Sequence, residues 1–393
     1  ACLVGSEMCI RDRGYVTGHF GKWHMGTLTR KMKDSNRGAK SLSNYSPPWQ
    51  HAVKTTFATE AKTPTYDPMW KPSIEKGKKK NDHTLGDFRG PSRQGWYAIS
   101  QNADREFYGT HYWTEKETFI DPASEELLGD DSDLIMERAL SFIDEHRENP
   151  FLAVIWFHAP HLPVLTGEKY KSLYSGLSED EQEYYGVITA LDEQVGRLRK
   201  KLKSLNIYDN TLVFYTSDNG PETQKEVREG KIPFGRTRGV TNGLRGRKRS
   251  LYEGGIRVPG IVEWPRKIRS GTVINVPCFT SDYFPTIAKI LGIDIDKYKR
   301  SYDGQDLQPY WSEQKDKRDK PLAFQFKKNY ALIDNEFKFM GGAKENSRLY
   351  NLVTDPTEKV DVSAQYPKKF KSLSNFYQKW HYSVQKSNLG LEY

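Results

Sequence analysis

The sequence predicts an α/β fold in which a largely parallel sheet is flanked by helices. Two short apolar runs, FLAVIWF at 151–157 and TLVFYT at 211–216, are typical of strands buried on both faces. Between them, apolar residues recur every three or four positions from Tyr185 to Leu205, which predicts an amphipathic helix. Strand, helix and strand in this order predict a right-handed crossover within a doubly wound sheet.

Two further helices are predicted within the same part of the chain. The segment 129–146 begins with acidic residues and continues with an apolar face, as expected of a helix with a capped N-terminus. The segment 281–292 has a similar apolar pattern and ends at a glycine. Both helices support a layered α/β domain.

The chain divides into segments of different character. Residues 1–13 resemble a translated sequencing-library tag, and we expect native sequence to begin near Gly14. We predict a main domain over 14–302, interrupted by a polar insertion over 27–107 that is rich in Lys, Ser, Pro and Gly. The pattern over 303–393 changes to a hairpin, a further strand and a terminal helix, which predicts a small C-terminal α+β subdomain.

The composition narrows the possible functions. The chain has 393 residues, a net charge of +9 and three cysteines, which are too few for a disulfide framework or a cysteine metal site. Its basic residues are scattered and lack a nucleic-acid-reading motif, so we expect no nucleic-acid partner. No apolar run reaches the length of a membrane span, and the modest positive charge suits an anionic ligand. The sequence leaves the oligomeric state open.

Polar motifs follow both of the predicted buried strands. His158 and His161 lie in the loop after the first strand, and Asp218 and Asn219 follow the second. In doubly wound sheets the ligand crevice lies beyond the carboxyl ends of the strands, so we expect these side chains near one another. Asp218 and Asn219 offer hard oxygen donors of the kind that Ca²⁺ or Mg²⁺ prefers, although such a pair is more often a simple turn.

Four ordered blocks of sequence resemble the sulfatase family. They are Gly14-Tyr-Val-Thr-Gly-His-Phe-Gly-Lys-Trp-His24, Pro160-His-Leu-Pro163, Ser217-Asp-Asn-Gly220, and Leu244-Arg-Gly-Arg-Lys248 through Glu253-Gly-Gly255. The tail LYNLVTDPTEKVD is similar to the family's C-terminal subdomain. The resemblance covers almost everything after residue 13 apart from the insertion, and it implies an alkaline-phosphatase-like fold that hydrolyses sulfate esters.

The resemblance also implies roles for individual residues. Lys22 and Lys248 would hold the sulfate group, where positive charge stabilises the developing negative charge on the sulfuryl oxygens. His161 would protonate the leaving oxygen, and His24 would assist the nucleophile.

A metal and a substrate pocket are implied in the same way. Asp218 and Asn219 would bind one calcium ion, which needs further ligands because calcium takes about six to eight oxygens. His111 and His158 are weaker candidates for lining the substrate pocket, since packing roles explain a lone histidine equally well.

The family's nucleophile is a cysteine in the pattern C-x-P-S-R, oxidised to formylglycine, and this sequence departs from that pattern. Cys9 is followed by Ile-Arg-Asp-Arg and lacks the Pro and Ser, and Cys278 has no similar context. We therefore expect that the chain is a fragment without its nucleophile and is inactive as it stands. The resemblance and the aromatic, basic insertion favour a sulfated carbohydrate as substrate of the parent enzyme, and a periplasmic or secreted location.

Two other functions stay open from the sequence. A phosphodiesterase or phosphonate hydrolase of the same superfamily is the nearest alternative, and the identity of the missing nucleophile would separate it from a sulfatase. The second alternative is a noncatalytic anion-binding protein built on the same fold. The sulfatase hypothesis requires that Lys22, His24, His161, Lys248, Asp218 and Asn219 gather around one tetrahedral anion.

Overall fold

The computed structural model describes residues 10–34, 44–73, 105–222, 236, 238–298, 301–312, 314–342 and 345–391. The chain forms two compact units. The first comprises Leu3–Tyr208 and Gln224–Arg238, and the second comprises Asp209–Thr223 and Gly239–Tyr393. The predicted tag and the predicted domain boundary after residue 302 stay predictions.

The first unit contains a five-stranded mixed sheet and a separate two-stranded ribbon. Its strands are β1 Val16–Lys22, β2 Thr55–Thr59, β3 Trp70–Pro72, β4 Arg105–Phe107, β5 Tyr112–Thr114, β6 Thr118–Phe119 and β7 Phe151–Trp156. The sheet order is β6-β5-β2-β1-β7, and β3 pairs with β4. Strands β2, β1 and β7 run parallel, whereas β5 and β6 run antiparallel to their neighbours.

The two longer helices of this unit confirm the sequence predictions. The α-helices are α1 Asp131–Glu145, α2 Glu168–Lys171 and α3 Glu179–Ser204, and the 3-10 turns are Pro48–Gln50, Glu115–Glu117, Glu125–Leu127 and Ser172–Tyr174. Asp130 caps α1 by accepting hydrogen bonds from the amides of Ser132 and Asp133. Ser178 and Glu181 form a capping box at the start of α3.

Strand β1 was not predicted, because its two glycines are more typical of a loop. Gly21 has a φ of +100°, and a side chain there would overlap the carbonyl oxygen of Trp156 on β7. Glycine thus permits the close approach of two strands at this point. The segment predicted as an insertion over 27–107 contributes β2, an interior strand of the main sheet, and its assignment as an insertion stays a prediction. Residues 35–43 and 74–104 of that insertion lie outside the described residues.

The second unit is built around a four-stranded antiparallel sheet. The four strands of this sheet are β10 Leu322–Phe326, β11 Asn329–Asp334, β12 Phe337–Gly342 and β13 Glu345–Asn351. The unit also contains β8 Val213–Thr216 and β9 Gly260–Glu263. The helices of the second unit are α4 Glu253–Ile256, α5 Tyr283–Ile290, α6 Gln308–Trp311 and α7 Pro367–Asn388. Its 3-10 turns are Tyr208–Asn210, Thr280–Asp282 and Asp296–Tyr298. Strands β10 to β13 pair in sequence order, and Leu373 of α7 packs on their apolar face with Phe339 and Leu349. The predicted C-terminal hairpin, strand and helix are confirmed.

The predicted crossover from 151–157 to 211–216 within one sheet is wrong in the described residues. Both segments form strands, but β8 pairs with β9 in an antiparallel two-stranded sheet, not with β7. An apolar run indicates a buried strand without indicating its neighbour, because parallel pairing joins residues far apart in sequence.

Strand β7 lies at an edge of the five-stranded sheet. Among the described residues its one partner strand is β1, and all six of its residues are half-buried. An apolar strand with one open edge is unusual in natural proteins, which normally cover or charge such edges. Within the described ranges, no helix is both long enough and apolar enough to cross a membrane.

His19 lies buried in the middle of β1. Its ring contacts Trp23 and Trp156 edge-on, with ring centroids 5.0 Å apart in both pairs. Burial lowers the pKa of His19 to about 3, against the opposing effect of backbone hydrogen bonds at Gly21 and Lys22. The folded state therefore holds this imidazole neutral.

We predict that His19 makes the fold acid-sensitive below pH 6.5. The unfolded chain protonates this histidine below that pH and the folded chain does not until about pH 3, so unfolding becomes easier as the pH falls. The contribution is about 1.4 kcal/mol per pH unit. Asp130 acts with the opposite sign, because burial and then the charge of Asp131 raise its pKa to about 7.

A comparison with His19→Gln isolates this effect, because both proteins retain Asp130. Unfolding free energies are measured with urea at pH 6, 5 and 4. For each unit by which the pH falls, the wild type should lose about 1.4 kcal/mol of unfolding free energy relative to the variant. A difference that stays constant with pH contradicts the prediction.

Candidate active site

Lys22 and His24 lie where β1 ends, at the carboxyl edge of the parallel strands. Lys22 is half-buried and pairs in register with Thr59, the last residue of β2. The amide of Trp23 donates to the Thr59 carbonyl at 2.9 Å and extends this pairing by one residue. His24 follows with a φ of +53° and is exposed. Both predicted site residues are thus held by the end of one central strand.

His158, in the loop after β7, is fixed by a buried polar network. Its Nδ1 donates to Asp131 Oδ2 at 2.7 Å, and its Nε2 lies 2.6 Å from Thr59 Oγ1. The Tyr112 hydroxyl donates to the other oxygen of Asp131. Since His158, Asp131 and Thr59 are at most 2% exposed, the network anchors the loop to α1 and β2. Contact of His158 with substrate stays a prediction.

His161 is placed by the same loop. Its backbone amide donates to the His158 carbonyl at 2.7 Å, so the anchored histidine positions the second one. Nδ1 of the half-buried His161 ring donates to the Leu162 carbonyl, also at 2.7 Å. With Nδ1 protonated, Nε2 is the atom that gains or loses the second ring proton. The structure therefore brings Lys22, His24 and the 158–161 loop to one edge of the sheet.

His111 is held inside the fold as well. Its amide and its Nδ1 both donate to Asp34 Oδ1, at 3.0 Å and 3.3 Å, and Trp113 Nε1 donates to Asp34 Oδ2 at 2.5 Å. His111 is 6% exposed and Asp34 is fully buried. The prediction that His111 lines a substrate pocket is untested, and its observed contacts are internal.

Asp131, Thr59 and Asp34 were missed by the sequence predictions. Asp131 was interpreted only as part of the acidic start of a helix. Thr59 and Asp34 belong to no recognisable motif. The available signal was chemical: a buried histidine needs a partner for each ring nitrogen. Nothing in the sequence indicates which residue provides it.

In the second unit, Asp218 and Asn219 follow β8 after one intervening residue, Ser217. Asp218 is exposed, and Asn219 Nδ2 donates to the Gly220 carbonyl at 2.9 Å, which leaves Oδ1 as the acceptor end of the amide. These are suitable oxygens for calcium, but two donors fall short of its usual six to eight, as a rough range. Across the described part of the chain, no group of three or more His, Cys, Asp or Glu side chains could hold a metal.

Lys248 lies in the second unit beside the segment that carries Asp218 and Asn219. Its amide donates to the Pro221 carbonyl at 2.9 Å, and its Nζ lies 3.8 Å from Glu222 Oε2. The Gly220 amide donates to the Gly255 carbonyl at 2.9 Å. The structure thus joins the two predicted segments of this unit. The predicted proximity of these residues to His161, which belongs to the first unit, stays a prediction.

We predict that Asp131→Asn destabilises the first unit. The amide cannot accept from both His158 and Tyr112 without presenting a donor to one of them, and breaking a buried charged contact costs about 3 kcal/mol. Glu126→Gln is a matched control because Glu126 forms an exposed ion pair with Arg138, worth less than about 1 kcal/mol. Urea unfolding that gives similar free energies for both variants contradicts the anchoring role.

Comparisons with known proteins identify the family to which this chain belongs. The sequence model of the family described as "Sulfatase" matches residues 9–293. Arylsulfatase H of Canis lupus familiaris is 35% identical over 178 residues, which covers 45% of this chain. The match spans only 30% of the length of that relative. N-acetylgalactosamine-6-O-sulfatase of Bacteroides thetaiotaomicron is 26% identical over 418 residues, covering 95% of this chain and 76% of the relative.

Solved structures support the same fold. The crystal structure of Ps i-CgsB in complex with k-i-k-neocarrahexaose superposes with a TM-score of 0.71 and 21% sequence identity, covering 98% of this chain and 78% of that one. The predicted alkaline-phosphatase-like α/β fold is therefore confirmed. Since the family model matches well over half of the 393 residues, the chain belongs to the sulfatase family.

Proposed function

We propose that the full protein hydrolyses sulfate esters at the carboxyl edge of the parallel strands in the first unit. The observation that carries the proposal is the gathering of Lys22, His24 and His161 at this edge in a chain of the sulfatase family. A lysine and two histidines supply what this reaction needs, namely a cation for the sulfate oxygens and groups that transfer protons.

His161 is the proton donor for the leaving group in this proposal. The nucleophile forms a bond to sulfur as the bond between sulfur and the ester oxygen breaks. The electron pair of the broken bond goes to the departing oxygen, which takes a proton from His161 Nε2. The Leu162 carbonyl holds the opposite ring nitrogen and thereby fixes the ring orientation. The buried His158–Asp131 contact keeps the loop in place behind it.

Lys22 and Lys248 bind the sulfate oxygens in the proposed reaction, as the resemblance implies. Lys22 is half-buried, so partial exclusion of water strengthens its attraction for an anion. His24 is proposed to act as the base that assists the nucleophile when sulfate is eliminated. Its exposed position at the end of β1 leaves room for proton exchange with solvent.

Asp218 and Asn219 would contribute two ligands to a calcium ion. When bound, such an ion would supply fixed positive charge next to the sulfate group. The exposed carboxylate of Asp218 and the amide oxygen of Asn219 are of the right chemical type, and the remaining ligands are proposed to come from elsewhere in the full protein.

We propose that the nucleophile, a formylglycine in the family pattern, lies in a segment upstream of this sequence. The sequence contains no C-x-P-S-R motif. Among the residues that the structure describes, β7 pairs with β1 alone, and a further strand supplied by such a segment would cover its apolar edge, which supports the proposal. The 393-residue chain alone is then inactive.

A sulfated carbohydrate is the proposed substrate class. The Bacteroides relative is named for action on N-acetylgalactosamine 6-O-sulfate, and Ps i-CgsB was crystallised with a neocarrahexaose. Sulfated glycans of this kind are found outside cells, so we propose a periplasmic or secreted location for the full protein.

The leaving group offers a sharp test of the role of His161. In the enzyme with its N-terminus restored, His161→Ala should lower kcat/KM for a sugar sulfate by about 10²- to 10⁴-fold, because a sugar alkoxide needs a proton. The loss should be far smaller with 4-nitrophenyl sulfate, whose leaving group is stable without protonation. His146→Ala is the control, since His146 precedes β7 and lies toward the opposite edge of the sheet.

Three outcomes count against the proposal. An equal loss with both esters removes His161 from leaving-group protonation. Cleavage of phosphonate monoesters without sulfate release favours the phosphonate hydrolase alternative. Sulfate binding without any hydrolysis favours the noncatalytic anion-binding protein.

A further inference from the structure

The second unit contains a cluster of three buried charged side chains, Lys338, Glu253 and Glu358, which we call the buried charge cluster. Lys338 on β12 is fully buried, and its Nζ lies 3.0 Å from Glu253 Oε1 and 2.8 Å from Glu358 Oε1. Glu358 is fully buried and Glu253 is 4% exposed. Burying three charges is costly, and apolar residues of similar volume often give equal or greater stability. The cluster therefore calls for an explanation other than stability.

The cluster holds both ends of the segment that carries Lys248. At one end, Glu358 Oε2 accepts from the backbone amide of Glu253 at 2.7 Å. At the other end, Nη1 of Arg245 donates to the backbone carbonyl of Glu358 at 2.8 Å. The Arg245 guanidinium also stacks over the Tyr252 ring at 3.9 Å. Glu358 thus contacts the segment on either side of Lys248, at the Glu253 amide and at the Arg245 side chain.

Glycine packing makes the segment between these ends stiff. The Gly254 amide donates to the Arg245 carbonyl at 2.7 Å, which closes the loop on itself. A side chain at Gly254 would overlap the Gly246 carbonyl oxygen, and one at Gly255 would overlap that of Ser250. Leu251 packs against Met340 and Tyr350 of the sheet beneath. A displacement at Glu253 must therefore be transmitted to Lys248.

We propose that Lys338 and Glu358 are positioning residues that set the location of the Lys248 ammonium group for binding of the sulfate moiety. The inference rests on the proposed function of Lys248. Neither residue touches the substrate in this account; each acts through the backbone of the 245–253 segment. Catalysis and anion binding depend steeply on such placement, because a misplacement of about 1 Å can cost on the order of 10²-fold.

The test uses Lys338→Met and the milder Glu358→Gln in the enzyme with its N-terminus restored. At a temperature where each variant is folded, Lys338→Met should weaken competitive inhibition by inorganic sulfate about tenfold or more and lower kcat/KM for a sulfate ester accordingly. Lys338→Arg should recover part of both. Glu358→Gln should act in the same direction and serves if Lys338→Met does not fold.

Arg318→Met provides a matched control for lost stability. Arg318 and Asp282 form another buried ion pair in the same unit, with Nη2 2.6 Å from Oδ1, and the bonds of Arg318 do not reach the Lys248 segment. This variant should show a similar drop in melting temperature yet keep its sulfate inhibition constant within about twofold, as expected of a site that shares no bonds with the segment. Equal changes in sulfate inhibition for Arg318→Met and Lys338→Met overturn the proposal.

Hydrogen exchange on the 393-residue chain separates failure of this inference from failure of the proposed function. Lys338→Met should speed amide exchange in peptides covering 244–256 and leave those covering 279–291 unchanged. Unchanged exchange over 244–256 shows that the buried charge cluster does not hold this segment and overturns the inference. Faster exchange there, with sulfate inhibition unaffected by both Lys338→Met and Lys248→Ala, overturns the sulfate-binding role of Lys248 and with it the positioning role.

Discussion

The parallel pairing of β1 with β2 on one side and β7 on the other determines where the chemistry of the first unit lies. The register places Lys22 beside Thr59, and it leaves the loop after β7 at the same edge. This pairing depends on Gly21, since any side chain there would overlap the neighbouring strand. Moving β1 by one residue would turn each of its side chains to the opposite face of the sheet and take Lys22 out of register with Thr59.

The two units hold their candidate catalytic loops by related physical means. In the first, a buried Asp131–His158 contact fixes the loop that carries His161. In the second, Lys338 and Glu358 fix the segment that carries Lys248. In both cases charges removed from water act on the backbone through directional hydrogen bonds, which specify one loop conformation more narrowly than apolar packing does. The half-buried His161 and Lys248 side chains are then carried on loops whose backbones are already fixed.

Much of this fold could be predicted from the sequence, because periodicity reports local structure well. Helices α1 and α3 were predicted from their apolar faces and the acidic start of α1, and strands β7 and β8 from continuous apolar runs. The sheet partners were not, since pairing is non-local, and β1 was missed because its glycines serve strand packing. The candidate residues were identified from motifs, but the residues around them could not be. The sequence does not indicate the partners of His158, which in the structure are Asp131 and Thr59.

The location of bound sulfate tests the central claim most directly. A crystal structure of the enzyme with its N-terminus restored, soaked with inorganic sulfate, should show Lys22 Nζ and His161 Nε2 each about 3 Å from a sulfate oxygen, as charge-assisted hydrogen bonds require. Sulfate bound elsewhere, with both side chains far from it and the enzyme still active, would contradict the assignment of the active site to the carboxyl edge of these strands.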